Sequence, residues 1–166
     1  PPLIRDSFLF KFIIKFFYRK DKTHEKLKIN AINLSEKKYV NYYKKMPRMH
    51  NNSDLSEICI EEIIKNLIKG HIIDVGCGDG FLLKIIRQNY KKSTLYGSEI
   101  AFSNELKKNL TESNIKLYRT KIENINKIKK KFDTVICSHV LEHVLDINLA
   151  YQNLKKICKK RLIIVV

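Results

Sequence analysis

Residues 72–80 read Ile-Ile-Asp-Val-Gly-Cys-Gly-Asp-Gly and form the most informative segment of the chain. Its first part is apolar and mostly β-branched, which is typical of a strand buried in a parallel sheet. Three glycines then occupy alternate positions, a pattern that suits a tight turn where the backbone passes close to a ligand. In the next residues, 81–87, apolar side chains recur at helical spacing. The order strand, glycine loop, helix is the beginning of a nucleotide-binding α/β domain.

The spacing of the glycines separates two classes of nucleotide site. Dinucleotide-binding folds use G-x-G-x-x-G, but here Phe81 stands where that third glycine is required and Gly80 comes one residue earlier. The resulting G-x-G-x-G behind Asp74 resembles the first motif of the class I S-adenosylmethionine-dependent methyltransferases. The alternative is a glycine turn that binds no ligand. By resemblance, the methionine half of S-adenosylmethionine would be bound by Asp74, Gly76, Cys77, Gly78 and Gly80.

A second strand with an acidic end follows. Residues 93–100 read Ser-Thr-Leu-Tyr-Gly-Ser-Glu-Ile. A carboxylate at the end of a second parallel strand can accept two hydrogen bonds from a ribose diol. In the methyltransferase family this acid binds the ribose hydroxyls, so the resemblance implies that role for Glu99 and places Ile100 beside it at the cofactor. The alternative is an exposed carboxylate at a strand end.

Residues 115–124 are similar to the third strand of that family and the loop that lines the adenine. The family often has Gly-Asp-Ala-Glu where this chain has Thr-Lys-Ile-Glu at 120–123. Lys121 stands where an aspartate is usual, which departs from the family's recognition of the adenine amine. By resemblance, Ile122 would pack on the adenine and Glu123 would belong to the cofactor site.

Residues 132–144 resemble the fourth strand and the start of its helix in the small-molecule, type-11-like branch, where Leu-Glu-His recurs between hydrophobic residues. Ser138 is expected to contact the cofactor. His139 directly follows the strand, at the edge where ligands bind in open α/β sheets, and histidine exchanges a proton near neutral pH. We therefore predict His139 as a general base, the alternative being a histidine that caps a helix or packs beside the cofactor. Glu142 and His143 are interpreted as structural or substrate-side residues.

Strand-like and helix-like segments alternate through the C-terminal two thirds of the chain, which predicts a parallel sheet with helices on both faces. The expected fold is α/β: a Rossmann-like, doubly wound, mostly parallel sheet. The last segment is expected to be a buried fifth strand, and because the family usually has seven strands, we expect a core truncated after the fifth. The predicted segments are 71–75, 80–90, 94–98, 103–113, 115–119, 133–138, 146–159 and 161–166.

The predicted domain organisation has two parts: an N-terminal helical extension or cap over residues 1–53, and a methyltransferase core over 54–166. A capping box formed by Asp54 and Glu57 should begin a helix that runs to residue 69, and Gly70 should end it. Residues 8–18 alternate apolar runs with Lys11 and Lys15. This segment is too short to span a bilayer. It is interpreted as a helix packed on the core or over the cofactor pocket, or as a peripheral membrane helix.

The expected function is methyl transfer from S-adenosylmethionine to a small molecule by in-line displacement; an RNA methyltransferase and a non-catalytic cofactor-binding module are alternatives. The net charge of +16 leaves a nucleic-acid partner open. It is not favoured, because arginine is scarce and because lysine, isoleucine and asparagine all have A/T-rich codons. The four cysteines lack metal-ligand spacing and a disulfide pattern, so we expect no metal and a cytoplasmic location. The sequence leaves the oligomeric state open.

Overall fold

Five strands form one sheet, in which every neighbouring pair is parallel and the order is β3-β2-β1-β4-β5. The Rossmann-like fold class is therefore confirmed. The chain moves outward from β1 to β3 on one side and then crosses back to β4, so the strand order reverses between β1 and β4. Ligands of open α/β sheets bind at such a reversal, outside the carboxyl ends of the strands. The strands are β1 (His71–Val75), β2 (Thr94–Glu99), β3 (Ile115–Arg119), β4 (Phe132–Ser138) and β5 (Cys158–Val165).

The structure is a computed structural model that describes residues 38, 41, 54–100, 102–144 and 146–166. All of them belong to one compact unit, Ser35–Val166. Apart from Lys38 and Asn41, the predicted extension over residues 1–53 lies outside the described residues. The segment 8–18 therefore lies outside them as well, and the domain boundary at residue 54 stays a prediction.

Helices cover both faces of the sheet, as predicted. Three helices pack their apolar side chains against one face, through residues such as Ile63, Leu83 and Leu110. A fourth helix and a 3-10 turn cover the other face, through Leu154 and Ile125. The helices are α1 (Glu57–Lys65), α2 (Phe81–Asn89), α3 (Asn104–Glu112) and α4 (Ile147–Ile157), and the 3-10 turns are Ile122–Lys127 and Leu141–His143.

The predicted limits of the first helix are wrong at both ends. The N-cap is Ser56, whose hydroxyl accepts a hydrogen bond from the Cys59 backbone N–H at 3.3 Å, so Asp54 does not form the capping box. The helix ends at Lys65, because Asn66 closes it with a side-chain hydrogen bond to the Glu62 carbonyl at 2.8 Å. Gly70 lies beyond the helix, with a φ of 128°, and a side chain there would collide with the carboxylate of Asp133.

The boundary between the last helix and the last strand also differs from the prediction. Helix α4 ends at Ile157 and β5 begins at once with Cys158, so Cys158 and the two lysines after it belong to the strand. The strand is not buried as expected. In the described sheet β5 pairs with β4 alone, and it leaves Ile164 37% exposed. An apolar strand sequence predicts burial on both faces, but an edge position removes the cover on one side.

Within the described residues, no helix combines the length and the apolar character needed to cross a membrane.

Candidate active site at the carboxyl edge

The three glycines of the first loop all have left-handed φ angles, between 52° and 77°, yet they serve different purposes. A side chain at Gly76 would collide with Val140, and one at Gly80 would lie 2.7 Å from a methyl group of Leu110. At Gly78 no atom lies within 4 Å of the position that a Cβ would take. Gly76 and Gly80 are thus explained by packing within the protein, whereas Gly78 faces open space.

The loop is held against the end of β2 by its backbone. The N–H groups of Gly76 and Cys77 both donate to the Ser98 carbonyl, at 2.8 and 3.0 Å, and the Gly80 N–H donates to the Cys77 carbonyl. The Cys77 side chain is buried and faces the core, where it closely approaches Gly97. Burial raises the pKa of its thiol well above the ordinary value, and the nearby carboxylate of Asp74 raises it further.

Glu99, predicted from the end of β2, contacts the open side of the glycine loop. Its Oε2 accepts a hydrogen bond from the Gly78 N–H at 3.1 Å, and its Oε1 accepts one from the Ile100 N–H at 2.7 Å. The structure therefore brings together two candidate residues that lie 21 positions apart in the chain. The half-buried Ile100 directly follows Glu99.

Asp74 is the buried acid of the site. Its residue is 2% exposed, and among the described residues its Oδ1 has no hydrogen-bond partner. Loss of solvent raises its pKa from the ordinary value of 3.8 to about 7, and repulsion from Glu99 contributes to the same shift. A buried polar atom without a partner is costly. Asp74 is therefore prepared to receive a donor or a cation.

The predicted adenine segment forms the first 3-10 turn, which starts at Ile122 after Lys121. The side chain of Ile122 is 6% exposed and belongs to the apolar core, and Glu123 is half-buried. The Glu123 carbonyl accepts a hydrogen bond at 2.8 Å from the side chain of Asn153 on α4. Sequence reasoning missed Asn153, although a fully buried amide on the apolar face of a helix is a signal of such an anchoring role.

His139 and Glu142 form a pair at the end of β4. Nδ1 of His139 lies 3.2 Å from Oε1 of Glu142, and the histidine side chain keeps a quarter of its surface exposed. The backbone of His139 has a φ of 51°, and its N–H donates to the Val165 carbonyl of β5 at 2.9 Å. Ser138, which ends β4, is half-buried beside it. Sequence reasoning singled out both members of the pair but did not predict their contact.

Two other kinds of chemistry receive no support from the described residues. They contain no group of three histidine, cysteine, aspartate or glutamate side chains that could hold a metal ion. Cys137 is fully buried, and its burial, with the charges of Asp74 and Glu142, raises the pKa of its thiol to about 12. At neutral pH it is a protonated, small hydrophobic side chain.

The comparison with family models decides the family. A family model described as a methyltransferase domain matches residues 42–166. The chain belongs to this methyltransferase domain family. No curated protein matches the chain significantly.

Solved structures share the fold at low sequence identity. A methyltransferase from an antibiotic biosynthesis pathway of Anabaena variabilis aligns with 63% of this chain and 44% of its own, at 20% identity and a TM-score of 0.50. Coclaurine N-methyltransferase, solved with N-methylheliamine and S-adenosylhomocysteine, aligns with 68% of this chain and 36% of its own, at 17% identity and a TM-score of 0.51. A protein of Galdieria sulphuraria described as a sarcosine dimethylglycine methyltransferase aligns with 60% of this chain and 40% of its own, at 14% identity and a TM-score of 0.51. The chain thus spans less than half the length of these proteins.

Proposed function

We propose that this chain binds S-adenosylmethionine at the carboxyl edge of its sheet and supports methyl transfer to a small molecule. One observation carries the proposal: Gly78, which faces open space, lies in hydrogen-bond contact with Glu99 and in the same loop that follows the buried Asp74. Family membership supports it, and so does the S-adenosylhomocysteine bound in coclaurine N-methyltransferase.

The residues fit the cofactor in three places. The partnerless oxygen of Asp74 suits a donor on the methionine half, because a cationic donor would offset the cost of burying the carboxylate. The open space above Gly78 lets a ligand approach the backbone closely. Each oxygen of Glu99 accepts one backbone N–H, and because a carboxylate oxygen can accept more than one hydrogen bond, this group also suits ribose hydroxyls.

The sulfonium of S-adenosylmethionine supplies a methyl group on an excellent leaving group. The protein contributes mainly by alignment and by the exclusion of water, and alignment alone can account for about 7–11 kcal/mol of a barrier. His139 is the proposed general base. When its Nδ1–H donates to Glu142, the other ring nitrogen, Nε2, can take a proton from the small molecule that is methylated. Glu142 is thereby a positioning residue.

The acceptor class rests on the residues after β4. Methyltransferases of exocyclic amines in nucleic acids often carry Asn/Asp-Pro-Pro-aromatic there, whereas this chain has Ser-His-Val-Leu at 138–141. This favours a small-molecule oxygen, nitrogen or carbon acceptor. The four cysteines, all within the described residues, are free thiols, in agreement with the proposed cytoplasmic location.

Calorimetric titration with S-adenosylhomocysteine tests the proposal. Gly78→Asn should abolish most of the binding, because the new side chain fills the open space, while asparagine tolerates the left-handed φ of 52°. Its melting temperature should stay close to that of the wild type, since no atom lies within 4 Å of the new Cβ. Glu99→Ala should weaken binding by about 1–3 kcal/mol. The matched control Glu105→Ala removes an exposed carboxylate of α3 and should bind as the wild type does.

Two results would contradict the proposal. One is unchanged affinity in a folded Gly78→Asn variant. The other is tight binding of a nicotinamide dinucleotide by the wild type together with no detectable binding of S-adenosylhomocysteine.

A further inference from the structure

Basic side chains gather at the amino edge of the sheet, opposite the candidate active site. Because all strands are parallel, their starts share one edge. The loops before β1, β2 and β4 and the first residues of β5 carry eight exposed cations, which we call the basic edge. Its members are Lys69, Lys91, Lys92, Lys129, Lys131, Lys159, Lys160 and Arg161.

The basic edge is continuous across four neighbouring strands. His71 pairs with Thr94 of β2, and Phe132 pairs with Cys158 of β5, so the loops before these residues lie side by side. Neighbouring strands are about 4.8 Å apart, so the four strand starts extend over roughly 14 Å. Asp133 links three of them: its Oδ2 accepts from the His71 N–H at 2.9 Å, and its Oδ1 pairs with Lys160 at 3.1 Å. The cations are therefore displayed on a connected frame.

Carboxylates are nearly absent from this edge. In the described segments 66–71, 90–94, 128–133 and 158–161, Asp133 is the one acidic residue, and its carboxylate is already paired with Lys160. Hydrogen bonds from His71 and Lys160 lower its pKa below the ordinary value, so it remains ionised at neutral pH. The acids of the core lie instead toward the carboxyl edge, among them Asp74, Glu99 and Glu142. A lysine-rich composition raises the number of cations, but it does not explain why they collect at one edge.

The surroundings of the basic edge indicate which anionic partner it fits. Among the aromatic rings of the described residues, Tyr151 alone is exposed, and it lies on α4 under Lys155. Tyr90, in the loop before β2, is half-buried and its hydroxyl donates to the Ile64 carbonyl, so the edge offers no exposed ring on which bases could stack. Exposed apolar side chains lie elsewhere: Ile58 is in the first turn of α1, and Ile147 and Leu149 are in the first turn of α4. Both helices begin at the carboxyl edge, so the basic edge lacks the apolar groups that would insert into a bilayer.

We propose that the basic edge docks this chain on the phosphate backbone of a nucleic-acid duplex, without reading the base sequence. Lysine acts as a point charge toward phosphate and does not require the bidentate geometry of arginine. The scarcity of arginine counts against bidentate phosphate contacts, but contact between lysines and the backbone does not depend on arginine. Because the edge lies opposite the candidate active site, a duplex held there is not the methyl acceptor. Docking and methyl transfer are separate properties of the chain.

Fluorescence anisotropy with labelled RNA duplexes of about 20 base pairs, in two unrelated sequences and over a series of KCl concentrations, tests the proposal. The variant Lys129→Gln/Lys131→Gln/Lys159→Gln removes three exposed charges of the basic edge. The matched control Lys84→Gln/Lys107→Gln/Lys108→Gln removes three exposed charges from the helices α2 and α3. Melting temperatures and S-adenosylhomocysteine titrations of both variants verify that the fold and the other edge are intact.

The wild type should bind both duplexes equally, with steep salt dependence. In the basic-edge variant, the slope of log K against log salt should become shallower by about 0.9 for each lysine lost, and affinity near 0.1 M salt should fall roughly a hundredfold. The control variant should stay within a few-fold of the wild type. Equal weakening by the two variants, or no binding to either duplex, would overturn the proposal. So would preferential binding to phosphatidylserine vesicles that the duplexes fail to displace, because it would assign the edge to a membrane.

Discussion

Gly76, Gly78 and Gly80 look equivalent in the sequence, but their surroundings differ. Val140 closes over Gly76 and Leu110 over Gly80, so those two positions exclude a side chain through contacts inside the protein. Gly78 has no such neighbour within 4 Å. A substitution at Gly76 or Gly80 should therefore disturb folding, whereas one at Gly78 should act on ligand binding.

Asp74 should make the ligand-free chain less stable as the pH rises. Its folded pKa of about 7 exceeds the ordinary value of 3.8, so between these values the folded chain holds a proton that the unfolded chain has lost. The stabilisation is present at low pH and disappears as the pH passes through 7. Between pH 5 and pH 8 the difference amounts to about 2–3 kcal/mol. Asp74→Asn should therefore gain stability relative to the wild type on going from pH 5 to pH 8.

Urea unfolding of both proteins at the two pH values measures this effect. Glu61→Gln, which changes an exposed carboxylate of α1, is the control and should follow the wild type at both values. If the free energies of unfolding of Asp74→Asn and the wild type differ by the same amount at pH 5 and pH 8, Asp74 does not titrate in this range.

Glu142 should select the tautomer of His139. In the neutral ring, donation from Nδ1 to the carboxylate leaves the proton on Nδ1 and the lone pair on Nε2. Nitrogen-15 NMR of the imidazole should show this tautomer in the wild type, and Glu142→Ala should shift the population toward the Nε2–H form. Glu123→Ala, which leaves the pair intact, is the control. Identical tautomer populations in the wild type and Glu142→Ala would show that the contact does not orient the ring.

At the scale of elements, the first helix shows how a single cap overrides a sequence motif. Asp54 and Glu57 have capping-box spacing, but the Ser56 hydroxyl accepts the hydrogen bond from Cys59 and starts the helix two residues later than that motif predicts. Ser56→Ala should destabilise the core by about 1 kcal/mol, because the Cys59 N–H loses its partner. Thermal unfolding measures the loss. Glu61→Ala, in the exposed interior of the same helix, should change stability by a few tenths of a kcal/mol; a similar loss in both variants would show that Ser56 is not the effective cap.

The edge position of β5 has a consequence for the whole molecule. Its apolar side chains are partly exposed, Ile164 by 37%, and an exposed apolar edge strand can pair with another chain. We expect the 166-residue chain to self-associate through β5 and expect Ile164→Lys to shift it toward the monomer. Sedimentation velocity measures the distribution between monomers and larger species. Ile147→Lys, which changes an exposed apolar residue of α4, should leave association unchanged; a wild-type chain that stays monomeric at its highest soluble concentration would contradict the expectation.

The described core, residues 54–166, separates many of its charges along the strand direction. The starts of the strands carry the basic edge, and their carboxyl ends carry Asp74, Glu99 and the His139–Glu142 pair. S-adenosylmethionine bears a cationic sulfonium, so acids at the carboxyl edge suit the proposed cofactor, while a polyanion is attracted to the opposite edge.

The sequence by itself determined the order of strands and helices and the identity of the acids at the strand ends, because these depend on local patterns. Apolar runs, periodic helices and the G-x-G-x-G loop act over a few residues, and each strand and α-helix from β1 to β4 lies within a residue or two of its prediction. The tertiary structure alone decided which groups meet. Gly78 and Glu99 come together because β1 and β2 pair in parallel register, and His139 is placed by a hydrogen bond to β5. The exposure of β5 and the gathering of lysines at one edge likewise follow from strand order, which depends on long-range pairing and leaves no local trace in the sequence.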